Sequence, residues 1–459
     1  MKLTYNVSDK PGLWKTIVFA LQQMLAILAA TIAVPAIIGN GMSQSAALFG
    51  AGVGTIVYLL FTKFKSPVFL GSSFAFLGSM GAAFAGAVST SVGYLGLIIG
   101  AFLAGLVYVV IALVVKFAGT KWIDKIMPAA VIGPTVAIIG LSLAGNATGD
   151  LLKGSVLTSQ DNWVVKVIEG LHVAVNEPIM VPTASPYVAL ICGLVTLFTT
   201  IICSVYGKKM LKMIPFIIGI VAGYIVASIF TVIGILAEVP ALQVINFGLF
   251  ANMEFPRFTF LEAFKGFEAL TFEYFITILV AYVPVAFVVF AEHLSDHKNI
   301  SSIIETDLTK NPGLHRTLLG DGIGSMAGAF FGGCPNTTYG ESVGCVAISG
   351  NASVVTIITT AIICMLASFV GPFVTFLATI PSCVMGGVCV ALYGFIAVSG
   401  LKMIQKVDLN DNRNLFTVSV ILIAGVGGLT LSFGAVTITS IACALILGVI
   451  TNVVVNIKK

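Results

Sequence analysis

CPNTTYGESVG, residues Cys334–Gly344, runs into about 60 residues, Ser342 to Leu401, without one Asp, Glu, Lys or Arg. A single carboxylate, Glu341, stands at the mouth of that run among Asn, Thr, Tyr and Gly. The composition of the chain supplies the setting. Its 459 residues are 58% hydrophobic and 9% charged, with a mean hydropathy of +1.07, more apolar surface than a soluble core can hide. This is the composition of a polytopic membrane protein. The first 15 residues are polar and lead into an apolar stretch too long for a signal-peptide core, so the expectation is a retained first span.

The eight cysteines lie mostly inside apolar segments and form no C-x-x-C pair, so neither a metal site nor a disulfide framework is indicated. The net charge of +4 is spread through short loops and is too small to suggest nucleic acid. There is no phosphate loop, no H-E-x-x-H and no G-x-S-x-G, which argues against an ATP-driven pump or an enzyme. GIGSMA (Gly322–Ala327) formally fits a dinucleotide fingerprint, but no strand precedes it and it reads as small-residue helix packing.

A membrane-crossing helix needs about 20 apolar residues, and Lys and Arg gather on the cytoplasmic side. Candidate spans fall near 16–38, 44–62, 67–83, 91–115, 126–145, 185–205, 213–236, 274–295, 317–333, 335–350, 353–372, 375–400, 415–432 and 435–456, fourteen in all. With the N-terminus inside, one side collects Lys63 and Lys65; Lys116, Lys121 and Lys125; Lys208, Lys209 and Lys212; Lys298, Lys310 and Arg316; Lys402, Lys406 and Arg413; and Lys458 and Lys459. The long loops on the other side carry Asp150, Asp161, Glu169 and Glu177, then Glu238, Glu254, Glu262, Glu268 and Glu273, and also hold the exceptions, the scattered Lys153, Lys166, Arg257 and Lys265. Both termini are therefore expected in the cytoplasm.

Dividing the chain at its second long loop gives a first repeat of seven spans (1–236), an extracellular connection (237–272) and a second repeat of seven (273–459). An odd number per half makes the halves enter the membrane in opposite senses, the inverted repeat of many secondary transporters. Spans three and ten correspond, and both are short and interrupted, by GSSFAF (Gly71–Phe76) and by NTTYG (Asn336–Gly340). Unwound backbone at membrane depth is tolerated only where it lines a cavity, so the matched breaks point to a midplane binding site. The competing reading is helix packing through small residues.

Glu292 and Glu341 both fall inside predicted spans, and an acid at membrane depth is a functional candidate by default. Asp296 lies one turn after Glu292 on the same face, where two neighbouring carboxyls can share a proton. His293 and His297 form a second i, i+4 pair on an adjacent face and titrate in a useful range. Their alternative is the polar cytoplasmic end of span eight. Glu341 can accept hydrogen bonds from a neutral donor ligand, and Phe74 and Tyr339 offer flat faces to a planar ring, or else pack the bundle. Asp321, Arg316 and His315 read as loop and helix-end residues. No cofactor is implied, and titratable acids without a sodium-ligand cluster favour a proton gradient as the driving force.

The chain resembles the nucleobase/ascorbate transporter family, in particular its bacterial uracil permease branch. The matching text is FLGSSFAF (Phe69–Phe76), AEH (Ala291–His293), NPGLHR (Asn311–Arg316), FFGGCPNTTYGESVG (Phe330–Gly344), IPSCVMGGV (Ile380–Val388) and LYG (Leu392–Gly394). The resemblance implies an all-α fold of fourteen spans, with core and gate domains each drawn from both repeats, often assembled as a homodimer. It also implies a cell-membrane symporter that imports uracil with protons by alternating access. Xanthine, uric acid or another purine is the alternative cargo, and an anion transporter of similar architecture a more remote one. By motif, Glu292 and Glu341 match the two carboxylates that bind the nucleobase edge. Phe74 and Tyr339 match the aromatic walls, Ala30 and Gly340 supply backbone contacts, and Tyr393, with Ser342, supports Glu341.

The chain departs from the family pattern in three places. Asp296 stands where a proton-linked His is usual, with His297 one residue later; Gln22 and Gln23 replace a Gln-His pair; and Ser342 and Ser349 replace Asn and Thr after Glu341. The resemblance therefore leaves Glu292, Asp296 and His297 as rival proton carriers.

Overall fold

A computed structural model describes residues 3–457 apart from 161–162, 169–170, 177–178, 209, 252–254 and 434–435. Asp161, Glu169, Glu177, Glu254, Lys209, Lys458 and Lys459, used above to set orientation, lie outside the described residues.

In chain order the helices begin with α1 (Leu13–Ile38) and α2 (Gln44–Phe61); strand β1 (Leu70–Ser72), a 3-10 turn (Phe74–Phe76) and α3 (Leu77–Ala85) follow. Next come α4 (Thr90–Ala118), α5 (Lys121–Ile126), α6 (Ala129–Ser142) and α7 (Ala144–Asp150), then strands β2 (Leu157–Gln160), β3 (Trp163–Ile168), β4 (Leu171–Asn176) and β5 (Ile179–Pro182). The middle of the chain holds α8 (Pro186–Tyr206), α9 (Met210–Met213), α10 (Pro215–Leu236), α11 (Thr259–Ala263), α12 (Phe272–Ile303) and α13 (Leu314–Gly332). Strand β6 (Asn336–Thr338) leads into α14 (Gly340–Ser349), α15 (Val354–Ala367), α16 (Gly371–Thr379) and α17 (Ser382–Ile404). The chain closes with α18 (Asn412–Val426), strands β7 (Leu431–Phe433) and β8 (Val436–Ile438), and α19 (Ser440–Val455).

Among the described residues, eight helical stretches are long and apolar enough to cross a membrane, or nine if the bent pair α15 and α16 is one span. Spans three and ten fall short of that length because each begins as a strand. The all-α expectation also missed three hairpins, β2 with β5, β3 with β4, and β7 with β8. The β-branched runs WVVKVI and LHVAVN lie in the long loop after α7, where alternating, β-branched sequence favours a ribbon over a helix.

Two compact units make up the chain. One comprises Met1–Ala144, Glu254–Val374 and Leu392–Lys459; the other comprises Gly145–Met253 and Thr375–Ala391. In the smaller unit, α8 packs on α10, and Tyr224 and Thr379 share a hydrogen bond of 2.8 Å. All residues of the candidate site belong to the larger unit.

Within that larger unit, α13 packs tightly on α2 and α4. The stretch GIGSMA is what permits it: a Cβ on Gly324 would meet Gly54 O at 2.7 Å, and one on Gly322 would meet Gly105 O at 3.0 Å. With no hydrophobic drive between helices in lipid, such backbone proximity is what holds them together.

The two broken spans meet. β1 and β6 pair antiparallel, with Leu70 opposite Thr338, Gly71 opposite Thr337 and Ser72 opposite Asn336. Ser73 N donates to Pro335 O at 2.9 Å and Tyr339 N to Phe69 O at 3.2 Å, extending the ladder at both ends. Each interruption thus supplies the hydrogen-bond partners that the other lacks, which is how non-helical backbone survives in the hydrocarbon layer. Because the strands are antiparallel, the chain leaves the pair at opposite ends to enter α3 and α14.

The N-terminal segment is also fastened within this unit. Thr4 N and Tyr5 N donate to Gly350 O, Ala352 N to Tyr5 O, and Val354 N to Val7 O, at 2.8–3.2 Å. This strap holds the loop that ends α14.

Candidate functional site

The crossing places the first turn of α14 beside α12. Tyr339 is buried, and its hydroxyl donates to Ser72 O at 2.7 Å, so its ring lies along β1. Gly71 makes room for it: a Cβ there would run into the Tyr339 ring. Gly340 follows, exposed, and a Cβ built on it would lie 3.8 Å from Asp296 Oδ1. Glu341, half-buried, is the second residue of α14, where the positive end of the helix dipole favours a carboxylate.

From α12 come Glu292, half-buried, and Asp296, 7% exposed. Thr338, the last residue of β6, donates its hydroxyl to Asp296 Oδ2 at 2.9 Å. The strand that leads into Tyr339–Gly340–Glu341 is therefore hydrogen-bonded to the acid one turn beyond Glu292. Ser342, fully buried, accepts from Gln23 Nε2 at 2.7 Å and from Phe69 N at 3.0 Å, joining α14 to α1 and to the residue before β1. Ala30 is buried in α1, which packs on both β1 and α14. Phe74 opens the 3-10 turn, with its ring edge-on to Tyr393 at 5.3 Å.

Phe74, Asp296, Tyr339, Gly340, Glu341 and Ser342 are thus gathered around one crossing, with Glu292 one turn before Asp296 on α12 and Ala30 on α1, the helix that packs on β1 and α14. Tyr393, read from the motif as a support for Glu341, sets its ring against Phe74. His297 occupies the other face of α12. It stacks on His293, with ring centroids 3.9 Å apart, donates from Nδ1 to His293 O at 2.9 Å, and shares a 2.8 Å bond with Tyr58 OH, which is 2.6 Å from Ser66 Oγ.

Asp321 corrects the sequence reading. It is no helix-end residue: it lies within α13, 1% exposed, with Oδ2 2.6 Å from His293 Nδ1. Thr317 Oγ1, 3.0 Å from His293 Nε2, completes the histidine's partners. The signal was present in the spacing, since Thr317, Asp321 and Ser325 recur every four residues and form one polar stripe on a membranous helix. Tyr58, Ser66 and Thr338 have no such signal, because a lone hydroxyl in an apolar helix or a broken span is silent until its partner is known.

A sequence model of the Permease family, the xanthine/uracil permeases, matches residues 14–433. The chain belongs to the Permease family, the nucleobase/ascorbate transporters. This permease is 37% identical to a uracil permease of Bacillus caldolyticus over 457 residues, 99% of this chain and 95% of that protein. It is 36% identical to a uracil permease of Bacillus subtilis (strain 168) over 462 residues, covering 100% and 96%. Among solved structures it resembles the transmembrane domain of a cyanobacterium bicarbonate transporter, BicA, with a TM-score of 0.62 and 16% identity over 98% of this permease and 99% of that chain. At that identity the likeness speaks to fold alone.

Proposed function

We propose that this permease imports uracil across the cell membrane by proton symport and alternating access. The observation that carries the reading is the crossing itself. It brings the Tyr339–Gly340–Glu341 turn to the α12 carboxylates, with Gly340 against Asp296, in a chain with uracil permease relatives at full length. A flat, neutral heterocycle with ring N–H donors suits that setting: Glu292 and Glu341 accept from its edge, Phe74 and Tyr339 flank its faces, and Ala30 and Gly340 offer backbone groups. Tyr393 and Ser342 support from behind. No residue is assigned a catalytic or metal-binding role.

Facing outward, the protein takes up a proton on the Glu292/Asp296 pair, with His297 as the rival carrier, and then uracil. The loaded site is carried to the inner side, where the lower proton concentration releases both. The fourteen-span arrangement, with repeats 1–236 and 273–459 joined by 237–272 and both termini cytoplasmic, belongs to the same proposal. Contacts between distant segments support its parity. Thr4 with Gly350, Lys65 Nζ with Asn311 Oδ1 and Asn452 Nδ2 with Lys125 O each join ends assigned to the inner side, whereas Tyr94 OH with Asn40 O joins ends assigned to the outer. A homodimer is part of the reading by resemblance only.

Uptake of radiolabelled uracil into proteoliposomes, with and without an imposed pH gradient, tests the function. Accumulation that depends on the gradient is expected; uptake indifferent to it removes proton symport. Competition between uracil and xanthine decides the cargo, and Glu341→Gln is expected to abolish or redirect uracil binding.

A further inference from the structure

His297 follows Asp296 in the chain, yet successive residues of a helix point about 100° apart, and the two reach different strands of the crossing. Asp296 takes the hydroxyl of Thr338, on β6, at 2.9 Å. His297 leads to β1 by way of α2. Its Nδ1 lies 2.9 Å from His293 O, and a carbonyl only accepts, so Nδ1 carries the proton and the neutral ring keeps Nε2 as an acceptor. Tyr58 OH, 2.8 Å away, donates to Nε2 and in turn accepts from Ser66 Oγ at 2.6 Å, in the segment that runs into β1. Three residues back on the same face of α2, Thr55 Oγ1 accepts from Leu70 N at 2.9 Å. Leu70 pairs with Thr338 across the ladder. A ring is thereby closed, from His297 through Tyr58, Thr55, Leu70 and Thr338 back to Asp296.

We propose that His297 is a positioning residue: it stays neutral and, as the acceptor for Tyr58, fixes the β1–β6 crossing against α12, and with it the approach of Thr338 and Gly340 to Asp296. Its surroundings leave no room for the part of proton carrier. His297, Tyr58 and Ser66 are fully buried, and both ring nitrogens of His297 are taken by uncharged partners. The neighbouring acids are engaged elsewhere, Asp321 with His293 and Asp296 with Thr338. A proton added to His297 would be a buried charge without a counter-ion, stacked 3.9 Å from His293, which is costly. A carrier must also reach water or ligand; Glu292 is half-buried and Asp296 is 7% exposed, whereas His297 is enclosed. The consequence for uracil and for protons rests on the function proposed above; the ring itself does not.

The experiment uses the full chain. Tyr58→Phe keeps the aromatic ring and removes the hydroxyl that joins His297 to Ser66, and is expected to weaken uracil binding to purified protein about tenfold. His297→Leu should lose at least as much, and the double variant no more than His297→Leu alone, because both changes remove the same hydrogen bond. His297→Gln offers an oxygen to the Tyr58 hydroxyl but does not titrate. It should recover most of the binding lost in His297→Leu, and its uptake into proteoliposomes should keep the wild-type shape of pH dependence. A flattened profile in His297→Gln makes this residue the carrier and overturns the proposal. Equal losses in His297→Gln and His297→Leu, additive losses in the double variant, or a Kd for Tyr58→Phe within about threefold of wild type overturn it as well. Hydrogen–deuterium exchange reads the ring without uracil: amides of residues 69–73 and 336–339 should exchange about tenfold faster in Tyr58→Phe than in the wild type. If wild-type protein binds no uracil while exchange rises in this way, the transport reading fails and the ring stands; unchanged exchange overturns the ring.

Discussion

Replacing Gly71 with alanine tests the geometry of the crossing. The new methyl would fall on the ring of Tyr339, so the ring must leave the strand and its hydroxyl must give up Ser72 O. Overpacking of this kind costs about 1–3 kcal/mol, and a buried hydrogen bond adds about 0.5–1.5 kcal/mol. The sum, about 1.5–4.5 kcal/mol, falls on the wall proposed to flank the ligand, and every 1.4 kcal/mol is tenfold. Uracil affinity of purified protein, read by equilibrium binding, is therefore expected to fall by roughly 10-fold to 1,600-fold. The cause is isolated by a double-mutant cycle: in a Tyr339→Leu background, where the ring is absent, Gly71→Ala should cost far less than in the wild type. A Kd for Gly71→Ala within about threefold of wild type, or strictly additive losses in the cycle, refutes the proposed packing of Tyr339 over β1.

Asp296→Asn is expected to flatten the pH dependence of uptake; a profile that keeps its shape moves the proton to Glu292 or His297. Thr338→Val removes the donor to Asp296 Oδ2 and should slow uptake about tenfold, whereas Thr338→Ser, which retains the hydroxyl, should recover most of it. Equal loss in the two variants would point to packing instead. Ser342→Ala leaves Gln23 Nε2 and Phe69 N without their acceptor and is expected to destabilise the fold by about 1–3 kcal/mol; an unchanged melting curve would show that the two donors find other partners. Deleting residues 2–9 strips the hydrogen bonds from Gly350–Val354 and should lower the melting temperature, which calorimetry in detergent would reveal.

Hydropathy made the long helices legible because a membrane span has to be apolar along its whole length, and α1, α2, α4, α8 and α10 lie within a few residues of their expected limits; α12 starts where expected but runs eight residues past its expected end at 295, to Ile303. The breaks at Gly71–Phe76 and Asn336–Gly340 were visible too, since Gly and hydroxyl clusters interrupt an otherwise apolar run. That they pair as strands was not visible, because antiparallel register between residues 70 and 338 is a long-range fact with no local pattern. The same distinction separates Glu292 and Glu341 from Asp321. An acid next to a motif draws the eye, whereas an acid among helical glycines is given away only by the four-residue spacing of its polar neighbours. The strands of the first long loop carry a local sign of their own, the β-branched alternation of WVVKVI and LHVAVN, which is independent of the charges that mark that loop.

The pairing of β1 with β6 has a consequence for how the protein is made. The backbone of Leu70–Ser72 finds its partners in residues synthesised about 265 positions later. At roughly 5–20 residues per second, ribosomes need on the order of tens of seconds to cover that distance. Throughout that interval the third segment has amide groups with no mate, in a medium that offers none. The nascent chain must therefore shelter it, in the insertion machinery or at the watery surface of the bilayer, until the second half arrives.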